Sequence, residues 1–323
     1  MLIRSRRLRA TAAIRNLVAE TDLQPRNFIQ GHFVQPQEGS SEISSLPGIS
    51  RNGIQATLKQ VEADLKLGLR SMLIFGVPDP ADKAPDAKAA FDATGIVPRT
   101  VKALKDAFGQ DLVVMTDVCL CAYTDTGHCG VNHGATVVND PSVAILAKMA
   151  VAHAEAGADM VAPSDMMDGR ILAMRNALDL AGFENTSILS YAIKHAGAYY
   201  GPFREAADSS PKFGDRRSYQ MDPRNAREGL RDALLDLEEG ADALMVKPAM
   251  PNLDLIWRLR EKTLCPIAAY HVSSEYSTVK AAGRLGWVDE ANLFREHLLA
   301  IRRAGADWIV TYAAREALAK KWI

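Results

Sequence analysis

Several things are scarce in this chain, and each scarcity removes a class of protein. Its 323 residues carry 38 lysines and arginines against 39 acidic residues, a net charge of −1. No overall basic field therefore points to nucleic acid or to an anionic membrane surface. No apolar run approaches the roughly 20 residues that span a bilayer, so no membrane partner is expected. The basic opening MLIRSRRLRA lacks the apolar core and cleavage site of a secretory signal. Its arginines mimic a mitochondrial presequence, but Glu20 and Asp22 follow soon after, and a cytoplasmic location is the expectation. No GxGxxG or GxxxxGKS/T phosphate loop occurs, which weakens an open nucleotide-binding sheet. Cysteine is rare too, four in all, which excludes a disulfide framework.

What is present has a regular rhythm. Hydrophobic content of 48% and charged content of 24% describe an ordinary globular protein. Eight short apolar runs read as strands: 28–34, 71–77, 111–118, 159–164, 187–193, 243–249, 266–272 and 307–313. Helical periodicity separates most of them, at 53–69, 100–109, 141–157, 171–182, 225–240, 253–263 and 290–305. Such alternation implies parallel strands joined by helical crossovers. A weak internal repeat agrees: EAGADM (155–160), EEGADA (238–243) and RAGADW (303–308) each end a helix with a capping glycine and open a strand. Eight units favour a (β/α)8 TIM barrel, an α/β fold that escapes the usual size limit for one core. The barrel would occupy residues 27–323. Residues 1–26, arginine-dotted with an amphipathic piece near Leu8 to Val18, read as an extended N-terminal arm packing on another subunit. A Ser/Pro/Gly-rich connection fills 35–53.

In a barrel, function sits where strands end. Those ends supply Asp117, Ser164, Lys194, Lys247, Ser273 and Tyr312. Lys247 closes the buried run 243–246 just before Pro248. Lysine is almost never buried unpaired, and an ion pair with Asp242 or Glu239 is the commoner explanation across all proteins. The alternative is a desolvated amine whose neutral form attacks a carbonyl. Lys194 ends a second apolar run, and two ammonium groups in one pocket would depress each other's protonation, which favours chemistry.

TDVCLCAYTDTGHCG (116–130) holds Cys119, Cys121 and Cys129, three soft donors within eleven residues. Three ligands leave a fourth position open, as in a catalytic zinc site. His128 as a fourth ligand would make a closed structural site, and a metal-free thiol cluster is the third option. Cys265 reads as a buried apolar filler. The long polar segment 199–220 resembles a lid. Its Arg204, Arg216 and Arg217 suit a carboxylate clamp, although any one of them alone would more often be a solvated surface arginine.

These residues carry a resemblance running nearly end to end. RSRRLRA (4–10), LPGISR (46–51), IFGVP (74–78), TDVCLC (116–121), APSDMMDGR (162–170), YYGPFR (199–204), GDRRSYQMDP (214–223) and GADALMVKP (240–248) are similar to the porphobilinogen synthases, or 5-aminolevulinate dehydratases, of the zinc-dependent branch. The resemblance implies a lyase condensing two 5-aminolevulinate molecules to porphobilinogen in tetrapyrrole (heme) synthesis. By it, Lys247 and Lys194 each hold a substrate as an imine. Asp117 assists proton transfer, and Cys119, Cys121 and Cys129 bind Zn²⁺. Arg204, Arg216 and Gln220 grip one carboxylate, Ser273 and Tyr312 the other, and Ser164 and Phe203 line the site. It further implies a homo-octamer, with an allosteric Mg²⁺ at Asp232.

The chain departs from that pattern at Asn252 and His195, where tyrosine is usual, at Ser274 in place of glycine, and at Thr126 in place of histidine. These departures keep two rivals in view. One is a divergent paralogue or class I aldolase-type lyase using Lys247 on another carbonyl. The other is a zinc-binding protein that inherited the barrel without its chemistry.

Overall fold

The computed structural model describes residues 3–323. Among the described residues, eight parallel strands close into a barrel: β1 (Phe28–Val34), β2 (Ser71–Gly76), β3 (Val113–Val118), β4 (Met160–Pro163), β5 (Ser187–Lys194), β6 (Ala243–Lys247), β7 (Ile267–His271) and β8 (Trp308–Thr311). Closure is direct: Phe28, Ile29 and Gln30 of β1 pair with Ile309, Val310 and Thr311 of β8. This is the (β/α)8 TIM barrel expected from the alternation. The helices are α1 (Ala12–Leu17), α2 (Ile54–Lys66), α3 (Ile96–Phe108), α4 (Asn139–Glu155), α5 (Arg170–Leu180), α6 (Gly201–Ala206), α7 (Ala226–Glu238), α8 (Leu253–Arg260), α9 (Ser273–Arg284), α10 (Glu290–Arg303) and α11 (Ala314–Ala319).

Strand side chains alternate between two cores, because successive residues face opposite sides of a sheet. Met72, Ile74, Val114, Val161, Ile188, Leu244, Val246 and Ile309 point outward and pack under the helices. Leu73, Phe75, Met115, Leu189, Tyr191, Met245, Tyr270 and Val310 fill the barrel. Each such fully buried side chain stabilises the fold by about 1.5–3 kcal/mol relative to an exposed one.

The GAD repeat has a structural role at the barrel's lower rim. Gly157, Gly240 and Gly305 sit at φ +100°, +105° and +111°, where a side chain is strained. The aspartates that follow clamp the preceding strand. The Asp159, Asp242 and Asp307 carboxylates accept from the amides of Val114, Ile188 and Ile267 at 2.7, 2.7 and 2.9 Å. Their own amides donate to the carbonyls of those same residues. Each clamp thereby fixes one strand's register against its neighbour.

Asp242 is committed to this clamp, and Glu239 accepts from the amide of Leu172 at 3.3 Å. The structure thus removes both acids from the role of partner to Lys247.

Several elements lie outside the sequence expectation, among them α11 and a short pairing of Asn132–His133 with Thr136–Val137. The 35–53 connection contains a small antiparallel hairpin, Ser40–Glu42 with Ser50–Asn52, whose second strand joins β1. Segment 199–220 begins with α6, and α9 follows β7. The N-terminal segment forms a 3-10 turn (Ser5–Arg9) and α1, with no buried residue in either; Met1 and Leu2 of the expected arm lie outside the described residues.

Candidate active site

Lys247 ends β6 on the inward face by unbroken alternation after Ala243 and Met245. Lys194 reaches the same space by a different route. In β5, Leu189 and Tyr191 face inward and Ile193 faces outward. Ser190 pairs with Leu244, but Ile193 pairs with Val246, so two residues of β5, Tyr191 and Ala192, oppose Met245 alone. This bulge resets the alternation and turns Lys194 inward beside Lys247.

The Lys247 ammonium stands among four rings, Tyr270 at 4.3 Å, Phe203 at 4.9 Å, Tyr191 at 5.0 Å and Tyr200 at 5.5 Å from their centroids. Burial in this cage, followed by repulsion from Lys194, pushes its pKa down to about 7. Lys194 donates to the carbonyl of Ser164 and lies 5.7 Å from the Tyr191 ring. Asp117 ends β3 nearby, with Oδ1 buried and without a partner among the described residues. Burial raises its pKa, against the opposing pull of Ser164 and the two lysines.

Cys119, Cys121 and Cys129 are all buried, with their sulfurs within 4.8 Å of one another. Hydrogen bonds from Cys119 and Cys121 hold the Cys129 thiol well below its ordinary range. His128 does not join them. Its Nδ1 meets the Tyr219 hydroxyl at 3.0 Å and its Nε2 the Phe213 carbonyl at 3.0 Å, so both ring nitrogens are engaged. A cavity of about 10 Å³ separates Asp117, Cys119 and Cys121 from Phe203 and Ala207, so the 199–220 segment lies down over the site.

That segment carries Arg204 and Arg216, both close enough to Cys129 to feel its charge, and Gln220, which lines an outer cavity. Arg216 is 6% exposed and donates to the carbonyls of Gly127 (2.9 Å) and Ser209 (2.6 Å). Its Nε, the Nε of Arg204 and both amide atoms of Gln220 are buried without partners among the described residues. Buried unpaired donors are costly, and such groups suit an anionic guest. Arg217 departs from expectation: it is exposed and pairs with Asp215. Ser273 Oγ accepts from the amide of Phe203 at 3.1 Å, and the Tyr312 and Tyr270 hydroxyls meet at 2.8 Å.

Asp232 lies elsewhere, on α7, paired with Arg231 at 3.2 Å and opening on an outer cavity of about 770 Å³. No three-ligand set forms there among the described residues. Cys265 is half-buried, not the buried filler its sequence suggested. Of the departures, Asn252 donates to the Pro248 carbonyl at 2.8 Å, Ser274 sits half-buried in the first turn of α9, and Thr126 donates to Asn132 at 3.0 Å. The His195 carbonyl accepts from Tyr200 at 2.7 Å. None of them takes the place of a lysine, a cysteine or Asp117.

Sequence reasoning missed the cage formed by Tyr191, Tyr200 and Tyr270, and it missed Glu275. The buried Glu275 carboxylate accepts from the amides of Met250 (2.6 Å) and Val272 (2.5 Å). It thus joins the loop after Lys247 to the turn bearing Ser273. Inward parity on β5 and β7 was a usable signal for Tyr191 and Tyr270; a glutamate in SSEY carried none.

A family model for delta-aminolevulinic acid dehydratase matches residues 2–320. The enzyme of that name from Methanothermobacter thermautotrophicus is 50% identical over 318 residues, covering 98% of this chain and 96% of the relative. That from Synechococcus elongatus is 47% identical over 325 residues, covering 99% and 98%. The crystal structure of the Toxoplasma gondii enzyme, in complex with its reaction product porphobilinogen, superposes with a TM-score of 0.97 at 44% identity, covering 100% of this chain and 92% of that one. A converging lysine pair at the mouth of a (β/α)8 barrel, beside a buried thiol trio, accords with that likeness. The chain belongs to the delta-aminolevulinic acid dehydratase family, the porphobilinogen synthases.

Proposed function

We propose that this lyase condenses two molecules of 5-aminolevulinate to porphobilinogen with loss of water, Lys247 and Lys194 each holding one substrate as an imine. The observation that carries the reading is a buried amine, Lys247, with a pKa pushed down to about 7 and a second lysine beside it. A neutral amine attacks a ketone, and the resulting imine acidifies the neighbouring carbon for bond formation. Asp117, whose carboxyl burial pushes above its ordinary range, would move the proton. Arg204, Arg216 and Gln220 supply unpaired donors for one substrate carboxylate, while Ser273 and Tyr312 hold the other. Ser164 anchors Lys194, and Phe203 walls off the Lys247 amine.

The thiol trio suits a soft divalent ion, since its sulfurs converge and are buried, with the Cys129 thiol held well below its ordinary range. Cys119, Cys121 and Cys129 would hold Zn²⁺ with a fourth position left open, because His128 is otherwise engaged. Bound there, zinc supplies a Lewis acid for a substrate oxygen. A magnesium at Asp232 would draw most of its ligands from water. The exposed arm, with Leu8 and Leu17 at 58% and 83% exposure, supports a homo-oligomer in which it packs on a neighbour, an octamer by family likeness. Free buried thiols suit a reducing cytoplasm.

The test is direct. Purified protein is given 5-aminolevulinate with and without a zinc chelator, and the pyrrole is assayed. Product that disappears on chelation and returns with zinc supports the whole reading. Folded, zinc-loaded protein giving no product would reject it in favour of a lyase acting on another carbonyl.

A further inference from the structure

Lys194 faces the site only because β5 carries its bulge, and one buried side chain bonds both to that bulge and to the segment after Ser164, whose carbonyl holds the lysine nitrogen. Arg170, at the start of α5, is 5% exposed. Its Nη2 donates to the carbonyl of Tyr191, inside the bulge, at 3.4 Å, and to the hydroxyl of Ser190, the residue before it, at 3.2 Å. Asp236 of α7 closes this side, meeting Arg170 Nη2 at 3.2 Å and the Ser190 hydroxyl at 2.5 Å. The other edge of the guanidinium faces the segment after β4. Nη1 donates to the Met167 carbonyl at 3.1 Å, and Nε lies 3.9 Å from the buried carboxylate of Asp165. Asp165 in turn accepts from the amide of Met167 at 2.7 Å and directly follows Ser164, whose carbonyl receives the Lys194 ammonium.

Two independent determinants of Lys194 thus meet on one side chain. The bulge decides which face of the barrel the lysine enters, and the Ser164 carbonyl decides where its nitrogen rests. A planar fork with donors on two edges is suited to holding two backbone segments at once, which a point charge is not. Lys247 has no comparable link to Arg170. It follows an unbroken strand, and its neighbourhood is set by rings and by Glu275.

We infer that Arg170 is a positioning residue for Lys194, selective for that lysine over Lys247. The inference rests on the reading of Lys194 as an imine-forming amine, and its test separates the two. The variant is Arg170→Lys, which keeps a cation between Asp165 and Asp236 but loses the fork. Two reactions are read by peptide mass spectrometry on folded protein: borohydride trapping of 5-aminolevulinate, and reductive methylation by formaldehyde, which needs no substrate recognition. In both, modification of Lys194 should fall by about tenfold to a hundredfold while Lys247 stays within about twofold. Ser190→Ala, which removes only the hydroxyl bridging Arg170 and Asp236, should show a smaller loss at Lys194 alone. It also serves if Arg170→Lys does not fold. Equal loss at both lysines, or loss at neither, overturns the inference. If wild-type protein traps no substrate at Lys194 but the methylation contrast persists, the imine reading fails and the positioning role stands.

Discussion

The mutual repulsion of the two lysines can be measured by removing one of them. Lys194→Met takes away a charge while keeping an unbranched chain in its slot. Both ammonium groups lie against the Tyr191 ring, 5.7 and 5.0 Å from its centroid, which places them within about 11 Å of each other. At a separation of about 6–10 Å and an effective dielectric constant of about 20, two unit charges repel by about 1.7–2.8 kcal/mol. Since about 1.4 kcal/mol is one pH unit, the Lys247 pKa of about 7 should rise to between about 8 and 9. The sign is fixed: removing a neighbouring cation makes the protonated amine easier to keep. At pH 7 the neutral fraction of Lys247 would drop from about one-half to below about one-tenth. Borohydride trapping of 5-aminolevulinate at Lys247, followed by peptide mass spectrometry from pH 6 to 10, reads this directly. Trapping should slow about tenfold at pH 7 and recover by pH 9. An inflection that stays at 7, or moves to lower pH, would refute the argument that Lys194 helps to discharge Lys247.

Other perturbations address the remaining parts of the molecule. Cys129→Ser removes one of the three converging sulfurs, and zinc content measured by atomic absorption should fall from about one per chain to a small fraction, with activity falling alongside. Full activity in the metal-free variant would refute the zinc assignment. Arg216→Lys replaces a fork by a point charge and should raise KM for 5-aminolevulinate about tenfold or more, since a hydrogen bond to a charged group contributes about 1.5–3 kcal/mol. Asp64→Ala should destabilise the fold by about 3–5 kcal/mol, read from urea unfolding, because a buried ion pair is broken. Asp64 accepts two bonds from Arg315, at 2.5 and 2.7 Å, and lies 3.3 Å from His32 of β1. That network joins α2 and α11 across the seam where the barrel closes.

How far the sequence carried the structure differs from element to element. The barrel was legible because buried parallel strands are short apolar runs with turn residues on both sides, and each of the eight runs lands on a strand within a few residues. Helix α9 was not read, since SSEYSTVKAAGR mixes serine, β-branched residues and glycine, all weak helix formers. The hairpin at 40–52 hides in a serine-rich stretch and is held by pairing to β1, which no local signal announces. At the site, lysines and cysteines stood out because their chemistry is conspicuous in apolar surroundings. Strict alternation along β5 would have sent Lys194 outward; its place depends on a bulge visible only in the pairing with β6. The arginines of 199–220 looked alike in sequence, and only burial separates Arg216 from the solvated Arg217.

The aspartate clamps at the foot of the barrel have a consequence at its mouth. Asp242 is locked to Ile188, and from that shared origin the two lysines are reached by unequal counts: five residues along β6 to Lys247 and six along β5 to Lys194. The bulge absorbs the odd residue. Were the origin free to slide by one position, either amine could arrive level with the wrong neighbour and on the wrong face. The clamp thus works like the zero mark of a ruler, and reach at the reactive end is measured from it. Positions above can diverge, as Asn252 and Ser274 have, without disturbing that measurement. A single insertion or deletion between the clamp and either lysine cannot.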